Sequence, residues 1–498
     1  MKNTFSLTKS TYKIHMQCQA INQYSIGQQV SESYVENNRK KEGIAIEEES
    51  KKYFNELIDS NHLHIEIQNY RNTILYQPEA TIEFKGSDIR DIRITNRADY
   101  LFIDKDGNYH LIEVKGKTDP YKKNGKLKDD IKHDLTYQKY VFEKYNIPIK
   151  TVSLLYLNND YTKKEKTIIS ELFIKDDVTH LLEYQSSEIE EEISRIISII
   201  QKTSKPIKTI SKGNCRDCPY KQTCHSEEGL TDEIFEIPDI RGKDINILTN
   251  NNITNLKDVG KYIKLNPNKE SYIQVTRTNK PIINIDAIRN ELKDFKKGDP
   301  IYSLDYETLQ PPIPEWEGFR PYQQIPMQYH ISKLEQNNIT HKYYLHNKNS
   351  NPLPRLLENL KSDIGNEGLI LVYFKRFEQQ RNNEMGLMYP EYASFLESVN
   401  NRMFDLEEIF KISKGYYIHP DFKGRSTLKL VLPVFSTEQT YTDIEISGGM
   451  TARYKWHEMT ADNINDTEKK KIYKDLLEYC RLDTEGLLII YKSLMELI

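Results

Sequence analysis

Three of the chain's five cysteines fall within one short stretch, GNCRDCPYKQTCHS, and that spacing limits what the surrounding chain can become. Cys215-x2-Cys218-x5-Cys224 lets a tight loop aim two thiolates at one metal centre with a third in reach. One ligand position stays open. Cys18, within TYKIHMQCQAINQY, is the only other cysteine in the first half of the chain, and His225 directly follows Cys224. An iron–sulfur centre and a structural zinc site completed by His225 therefore stand side by side, with metal-free buried thiols as a third reading. A disulfide framework does not suit a cytoplasmic chain. Cys480, alone in a helical stretch, reads as a small apolar residue.

A chain of 498 residues has room for two or three domains, each with its own core. Its 70 Lys+Arg against 74 Asp+Glu give a net charge of −4, which excludes a polybasic binder. It leaves room for acidic metal ligands beside a local basic surface. With Gly 20 and Pro 19, collagen-like and low-complexity classes are out. No stretch approaches the ~18–20 apolar residues of a membrane span. The opening MKNTFSLTKSTYKIH lacks the apolar core of a secretory signal, so the expectation is a cytoplasmic protein with no membrane partner. High Lys, Ile, Asn and Tyr content looks like an AT-rich bacterial or phage genome.

Between Cys18 and Cys215 lies RADYLFIDKDGNYHLIEVKGKTD. The alternation predicts a strand over 99–103, a turn at Asp106-Gly107 and a second strand over 109–115. Side chains two apart share a face, so Glu113 and Lys115 project together while Ile112 and Val114 face the core. Asp99 can approach Glu113. Two carboxylates there can hold Mg²⁺ or Mn²⁺, and a lysine can orient or help deprotonate an attacking water. Gly116-Lys117-Thr118 ends like a phosphate-binding loop, but Leu111 stands where that motif needs glycine.

Glu47 sits in a helix upstream, and Gln138 and Tyr140 in a helix downstream. Helix, hairpin with Asp and Glu-x-Lys, helix with Gln and Tyr, then the cysteines: this order resembles the RecB-like nucleases of the PD-(D/E)xK superfamily. It is most similar to the iron–sulfur subgroup that includes the CRISPR-associated exonuclease and the AddB nuclease domain. The resemblance implies a [4Fe–4S] cluster on Cys18, Cys215, Cys218 and Cys224 that pins the two ends of the domain together. It also implies metal binding by Asp99 and Glu113, a catalytic Lys115, and Gln138 and Tyr140 close to substrate. Glu47 stands nearest to the family's usual metal-binding histidine.

The helix over 188–202 carries Ile189, Ile193, Ile196, Ile197 and Ile200 on one face. After Cys224, residues 226–295 read as a short helical connector, either resembling a helix-hairpin-helix that could touch backbone phosphates or a plain interdomain linker. A new domain opens at Asp299-Pro300 with the strand IYSLDYETL, where Asp305 and Glu307 share one face. Paired acids on a buried strand are costly unless they meet a metal or water. A second strand, 369–373, runs into Phe377-Glu378, and the last helix carries Tyr479 and Asp483 four apart. This set looks like the DnaQ-type DEDD exonucleases of the RNase H-like superfamily. Glu378 replaces the usual Asp, and Phe374 the usual Asn. The resemblance implies metal ions among Asp305, Glu307, Glu378 and Asp483, with Tyr479 orienting the attacking water. RPYQQIPMQYH and GRSTLKLVLP offer Arg320, Gln324, Gln328, Ser426 and Lys429 as phosphate or sugar contacts.

The expected fold class is α/β: a PD-(D/E)xK nuclease domain over 1–225, the connector over 226–295, and an RNase H-like domain over 296–498. That pairing resembles a bacterial family of uncharacterised proteins. It implies an Mg²⁺- or Mn²⁺-dependent DNA exonuclease in repair, processing or antiphage defence, acting alone or with a protein partner. An RNA exonuclease and a non-catalytic nucleic-acid-binding scaffold are the alternatives.

Overall fold

The Asp106-Gly107 turn joins two neighbouring antiparallel strands in the interior of the largest sheet among the described residues. The computed structural model describes residues 5–25, 33–59, 70–84, 91–182, 186–293, 300–336, 338–436 and 444–498. They form a mixed α/β protein that divides into two compact units, 1–222 with 312–322, and 223–311 with 323–498.

The first unit contains strands β1 (Phe5–Leu7), β2 (Ile58–Asp59), β3 (Thr73–Tyr76), β4 (Glu79–Phe84), β5 (Ile92–Arg97), β6 (Tyr100–Ile103), β7 (Tyr109–Lys115), β8 (Ile149–Leu157) and β9 (Phe173–Asp177). Its main helices are α1 (Lys9–Gln17), α2 (Tyr34–Ser50), α3 (Asp129–Lys144) and α4 (Ser186–Ile200). A six-stranded sheet runs β2-β3-β6-β7-β8-β9, beside a three-stranded sheet β1-β5-β4. β6 and β7 pair antiparallel, with Gly107 taking the positive φ of 86° that the turn requires. β7 and β8 are parallel, and the crossover between them contains α3.

Both faces of β7 are covered. Ile112 and Val114 pack with Ile46, Tyr100 and Leu155. On the other face Tyr109 and Leu111 join Leu135, Tyr137 and Val141 of α3 and the isoleucine stripe of α4. The sequence pattern marks only the first face as core. Glu113 is buried on the second, at 2% exposure, because helices close over that side as well.

The second unit holds β10 (Ile282–Ile283), β11 (Ile301–Leu309), β12 (Ile325–Glu335), β13 (Asn338–Leu345), β14 (Leu369–Val372), β15 (Met403–Asp405) and β16 (Tyr417–Ile418). Its longer helices are α5 (Gly242–Asn250), α6 (Pro267–Thr278), α7 (Leu353–Asp363), α8 (Lys375–Met388), α9 (Ala393–Asn401), α10 (Leu428–Phe435), α11 (Gly449–Thr460) and α12 (Asp466–Leu497). The five-stranded sheet runs β13-β12-β11-β14-β15, with β11 antiparallel to β12 and parallel to β14. The stretch read as a connector is part of this unit, since Ile288 and Leu292 share a core cluster with Leu371 and Leu488. The expected domain start at 296, and Asp299 with it, lie outside the described residues.

Three buried hydrogen bonds lock α12 across β11 and β12. Ser303 Oγ donates to Thr484 O at 2.8 Å, Gln328 Nε2 donates to Leu476 O at 2.8 Å, and His330 Nδ1 lies 2.6 Å from Thr484 Oγ1. Ser303, Asp305 and Glu307 alternate on one face of β11, so the same docking brings Tyr479 and Asp483 to the acids.

Candidate active sites

In the first unit, α1 and α3 cover Glu113 and Lys115. Lys115 Nζ donates to Glu113 Oε1 at 2.7 Å and to Asp134 Oδ2 at 2.6 Å. Lys9, opening α1, donates to the same glutamate oxygen at 2.8 Å, and Lys13 one turn later reaches Asp134 Oδ2 at 3.3 Å. Asp134 Oδ1 accepts from Gln138 Nε2 at 2.9 Å, and Gln138 Oε1 accepts from Asn96 Nδ2 at 3.4 Å. Asp99 Oδ2 accepts the Val114 N–H at 2.7 Å, which ties it to β7. Glu47 Oε1 accepts from Tyr76 Oη at 2.9 Å and Gln77 Nε2 at 2.7 Å.

Charge and burial work against each other here. Burial drives the Asp99 carboxyl up, Glu113 and Glu47 add to the rise, and Lys9 and Lys115 oppose it. Burial also favours neutral Glu113, but Lys115 and Lys9 outweigh it and hold this carboxyl below its usual range. Lys115 is likewise desolvated, yet Asp134, Glu113 and Asp99 keep its ammonium firmly protonated. Glu113 Oε2 is buried with no hydrogen-bond partner. A buried carboxylate oxygen left bare is expensive, and Asp99 with Glu113 offers the hard oxygen donors a divalent cation takes.

In the second unit, one carboxylate oxygen each from Asp305, Glu307 and Asp483 lie within 4.8 Å of one another. Burial and the neighbouring Asp483 push the Asp305 carboxyl up to about 8. Burial and the adjacent acids raise Glu307 and Glu378 as well. Glu378, in the first turn of α8, accepts the Tyr306 N–H and leaves Oε2 buried without a partner. Such mutual repulsion among oxygen donors fits divalent cations. A cleft of about 390 Å³ is lined by Asp305, Tyr373, Lys429, Tyr479, Asp483 and Leu487. A second, of about 330 Å³, is bordered by Glu307, Gln324, Phe377, Gly449 and Arg453. Lys429 Nζ lies 5.2 Å from the centre of the Tyr479 ring and lowers the pKa of Glu307.

If these acids take up a divalent cation, proton release would couple that uptake to pH. Mn²⁺ affinity is then expected to climb as pH rises through the Asp305 value of about 8. Mn²⁺ titrations followed by electron paramagnetic resonance between about pH 6 and 9 measure this.

Among the cysteines, Cys18, Cys215 and Cys224 are buried and Cys218 is half-buried. Burial raises the Cys215 thiol, and the nearby Cys218 and Cys18 raise it further. Thr209 N–H donates to Cys18 Sγ at 3.4 Å. The His225 ring packs on Phe235 with centroids 4.6 Å apart.

Several expected contacts fall elsewhere. Tyr140 lies in the core with Lys144 over its ring, because residues two apart on a helix face nearly opposite ways and Gln138 takes the side toward Asp134. Gln328 spends its amide on α12, and Ser426 donates to Glu407 Oε1 at 2.8 Å. Arg320 belongs to the 312–322 segment of the first unit, while Gln324 accepts from Thr308 Oγ1 at 2.7 Å beside the acids. Cys480 is not merely apolar filling: its thiol donates to Asp305 Oδ2 at 3.2 Å. Lys9, Lys13, Asp134, Asn96, Gly449 and Arg453 escaped the sequence reading. Asp134-x3-Gln138 was the available signal, since a spacing of four puts both on one helix face.

Residues 21–225 match the PD-(D/E)XK nuclease superfamily, and residues 302–427 match a domain of unknown function (DUF2779). The first match takes in Glu47, Asp99, Glu113, Lys115 and three of the clustered cysteines. The second takes in Asp305, Glu307 and Glu378 and ends before Tyr479. The chain is 24% identical over 233 residues to uncharacterized protein MG366 of Mycoplasma genitalium, which covers 43% of this chain and 35% of that protein. The matched region is thus about a third of that relative's length. A solved structure titled "Crystal structure of SSO0001" aligns with 45% of this chain and 88% of its own at 13% identity and a TM-score of 0.27. The N-terminal part of this chain is therefore a PD-(D/E)XK nuclease superfamily domain.

Proposed function

We propose that this protein is a metal-dependent DNA exonuclease with two sites, one in each unit. The observation that carries the reading is the pairing of buried Glu113, one oxygen of which lacks a partner, with Lys115 and Asp99 inside a PD-(D/E)XK domain. Asp99 and Glu113 would hold Mg²⁺ or Mn²⁺, with Glu47 beside them. The cation would supply an activated water and charge stabilisation at the leaving oxygen. Lys115, held as an ammonium by Asp134 and Glu113, orients water and offsets phosphate charge. It does not take up a proton, and Gln138 fixes Asp134 from behind.

For the second unit the reading is an RNase H-like DEDD-type site. Asp305, Glu307, Asp483 and the adjoining Glu378 would hold metal, and Tyr479 would orient the water, with Lys429 and Gln324 toward the phosphate backbone. Convergence of three acids from β11 and α12 supports it. A structural [4Fe–4S] cluster on Cys18, Cys215, Cys218 and Cys224 is the reading for the cysteines, with zinc as the competitor. The N–H donated to Cys18 Sγ suits a ligating thiolate. Repair, DNA processing or antiphage defence is the setting.

The test is digestion of end-labelled single- and double-stranded DNA, with RNA alongside, by anaerobically purified protein in Mg²⁺ or Mn²⁺. Wild type runs beside Lys115→Ala, Asp305→Ala and the double variant. Each single variant is expected to remove a distinct product ladder. RNA cut in preference to DNA would replace the substrate, and an inert wild type beside an active control exonuclease would leave a binding scaffold.

A further inference from the structure

One stretch of the first unit comes from far along the chain. Residues 312–322 follow β11 in sequence, yet they belong to the unit that carries Glu113 and Lys115. Phe319 anchors the stretch at 0% exposure, with Trp316 edge-on to it at 5.9 Å. The backbone is tied in twice: Lys163 N–H donates to Phe319 O at 2.9 Å, and Gly318 N–H donates to Lys163 O at 2.8 Å. Ile313 and Tyr322 pack on the cluster of Ile46, Tyr76, Tyr100 and Ile112.

Tyr322 ends this stretch in a left-handed backbone conformation, φ 57°, which a bulky residue adopts only when its surroundings demand it. That conformation accompanies a phenol that donates to the Gly116 carbonyl. Lys115 makes the last pair of the β7–β8 ladder, so the Gly116 acceptor lies just beyond it. The junction is tight. A Cβ added at Gly116 would lie 2.6 Å from Ile46 Cδ1 and 3.5 Å from Tyr322 Oη. Ile46 precedes Glu47 on α2, and Gly116 directly follows Lys115 at the end of β7, so the phenol bonds one neighbour of the site while Tyr322 packs on the cluster that holds the other.

We infer that Tyr322 is a positioning residue of the N-terminal nuclease site: by holding the Gly116 carbonyl and packing on the cluster that contains Ile46 and Ile112, it sets the end of β7 that aims Lys115. The inference rests on the nuclease reading of that site. Misplacing a reacting group by a fraction of an ångström costs rate before it costs binding.

The experiment uses the full chain carrying Asp305→Ala, which silences the second unit, with and without Tyr322→Phe. Expected are a kcat on DNA lowered about tenfold with KM changed less than about twofold. Mn²⁺ affinity at the N-terminal site is expected to weaken about threefold to tenfold. Gly116→Ala, which crowds the same junction from the strand, is expected to give the same split. Unchanged kcat and Mn²⁺ affinity in Tyr322→Phe overturn the inference. So does a loss that vanishes when the assay is run well below the thermal midpoint, since that is a folding effect alone. If the Asp305→Ala parent cuts nothing, the nuclease reading has failed, and Mn²⁺ affinity still decides whether Tyr322 shapes the site.

Discussion

Lys115→Met is expected to cut turnover at the N-terminal site by about 10³-fold and to destabilise the metal-free protein at the same time. Both effects come from the same ammonium. It donates to Glu113 Oε1 and Asp134 Oδ2, and it is one of the charges that keep both carboxyls ionised in spite of burial. Removing one partner of a buried ionic set typically costs about 3–5 kcal/mol, because the other charge stays buried and unpaired. Lys9 and Lys13 remain in place and offset part of this. The sign follows from the depressed carboxyls. Their stabilising share is present above the ordinary carboxylate range and is lost on acidification, so the difference between Lys115→Met and parent is largest at neutral pH and shrinks as pH falls. Denaturant midpoints at pH 4 and 7, beside single-turnover cleavage, check both effects. Lys115→Arg separates them, since its fork keeps the charge without the compact ammonium geometry. A Lys115→Met protein that digests DNA at the parental rate would remove Lys115 from the chemistry.

Asp305→Asn should do the reverse to stability while abolishing the second site. If the second unit cleaves as proposed, its activity is expected to drop about 10²–10³-fold, since a candidate donor to the metal would be replaced by a neutral amide. Metal-free, the variant is expected to be more stable than the parent by about 1–2 kcal/mol at pH 8. The Asp305 carboxyl rises from 3.8 to about 8 in the fold, so its contribution is complete below 3.8 and is lost as pH rises through 8. Asparagine does not titrate, and the variant's stability is therefore flatter across that window. Thermal midpoints in chelator from pH 5 to 8.5 measure the slope, and saturating Mn²⁺ is expected to favour the parent again. Equal slopes in variant and parent would show that Asp305 does not carry the repulsion.

Local patterns were legible, and assembly was not. The hairpin, the Glu113-x-Lys115 face, the isoleucine stripe of α4, Asp305-x-Glu307 and Tyr479-x3-Asp483 follow from periods of 2 and 3.6 that neighbouring residues impose. Lys9 reaches Glu113 from 104 residues earlier in the chain and Asp134 reaches Lys115 from the crossover helix, and no short-range period encodes such meetings. Cys480 looked apolar because its partner, Asp305, lies on a distant strand. Helical geometry turns Tyr140 away from Gln138 and into the core, a separation that their shared motif does not display. The covering of both faces of β7 depends on where α1 and α3 dock, which the strand's own alternation does not reveal. Phe374 belongs to the same class. Its backbone is left-handed at φ 67°, and Asp405 on β15 accepts the N–H groups of Phe374 and Lys375 at 3.0 and 3.1 Å. An asparagine tolerates that conformation more easily than phenylalanine does.

The two ammonium groups on Glu113 give the N-terminal pocket counter-ions of its own, whereas Asp305, Glu307 and Asp483 face one another with far less cationic company. If both pockets take divalent cations as proposed, scarcity of those cations would leave the first held by its own ammonium groups and the second by a proton on Asp305, up to about pH 8. On that reading, a shift in metal supply or pH would alter the second site before the first.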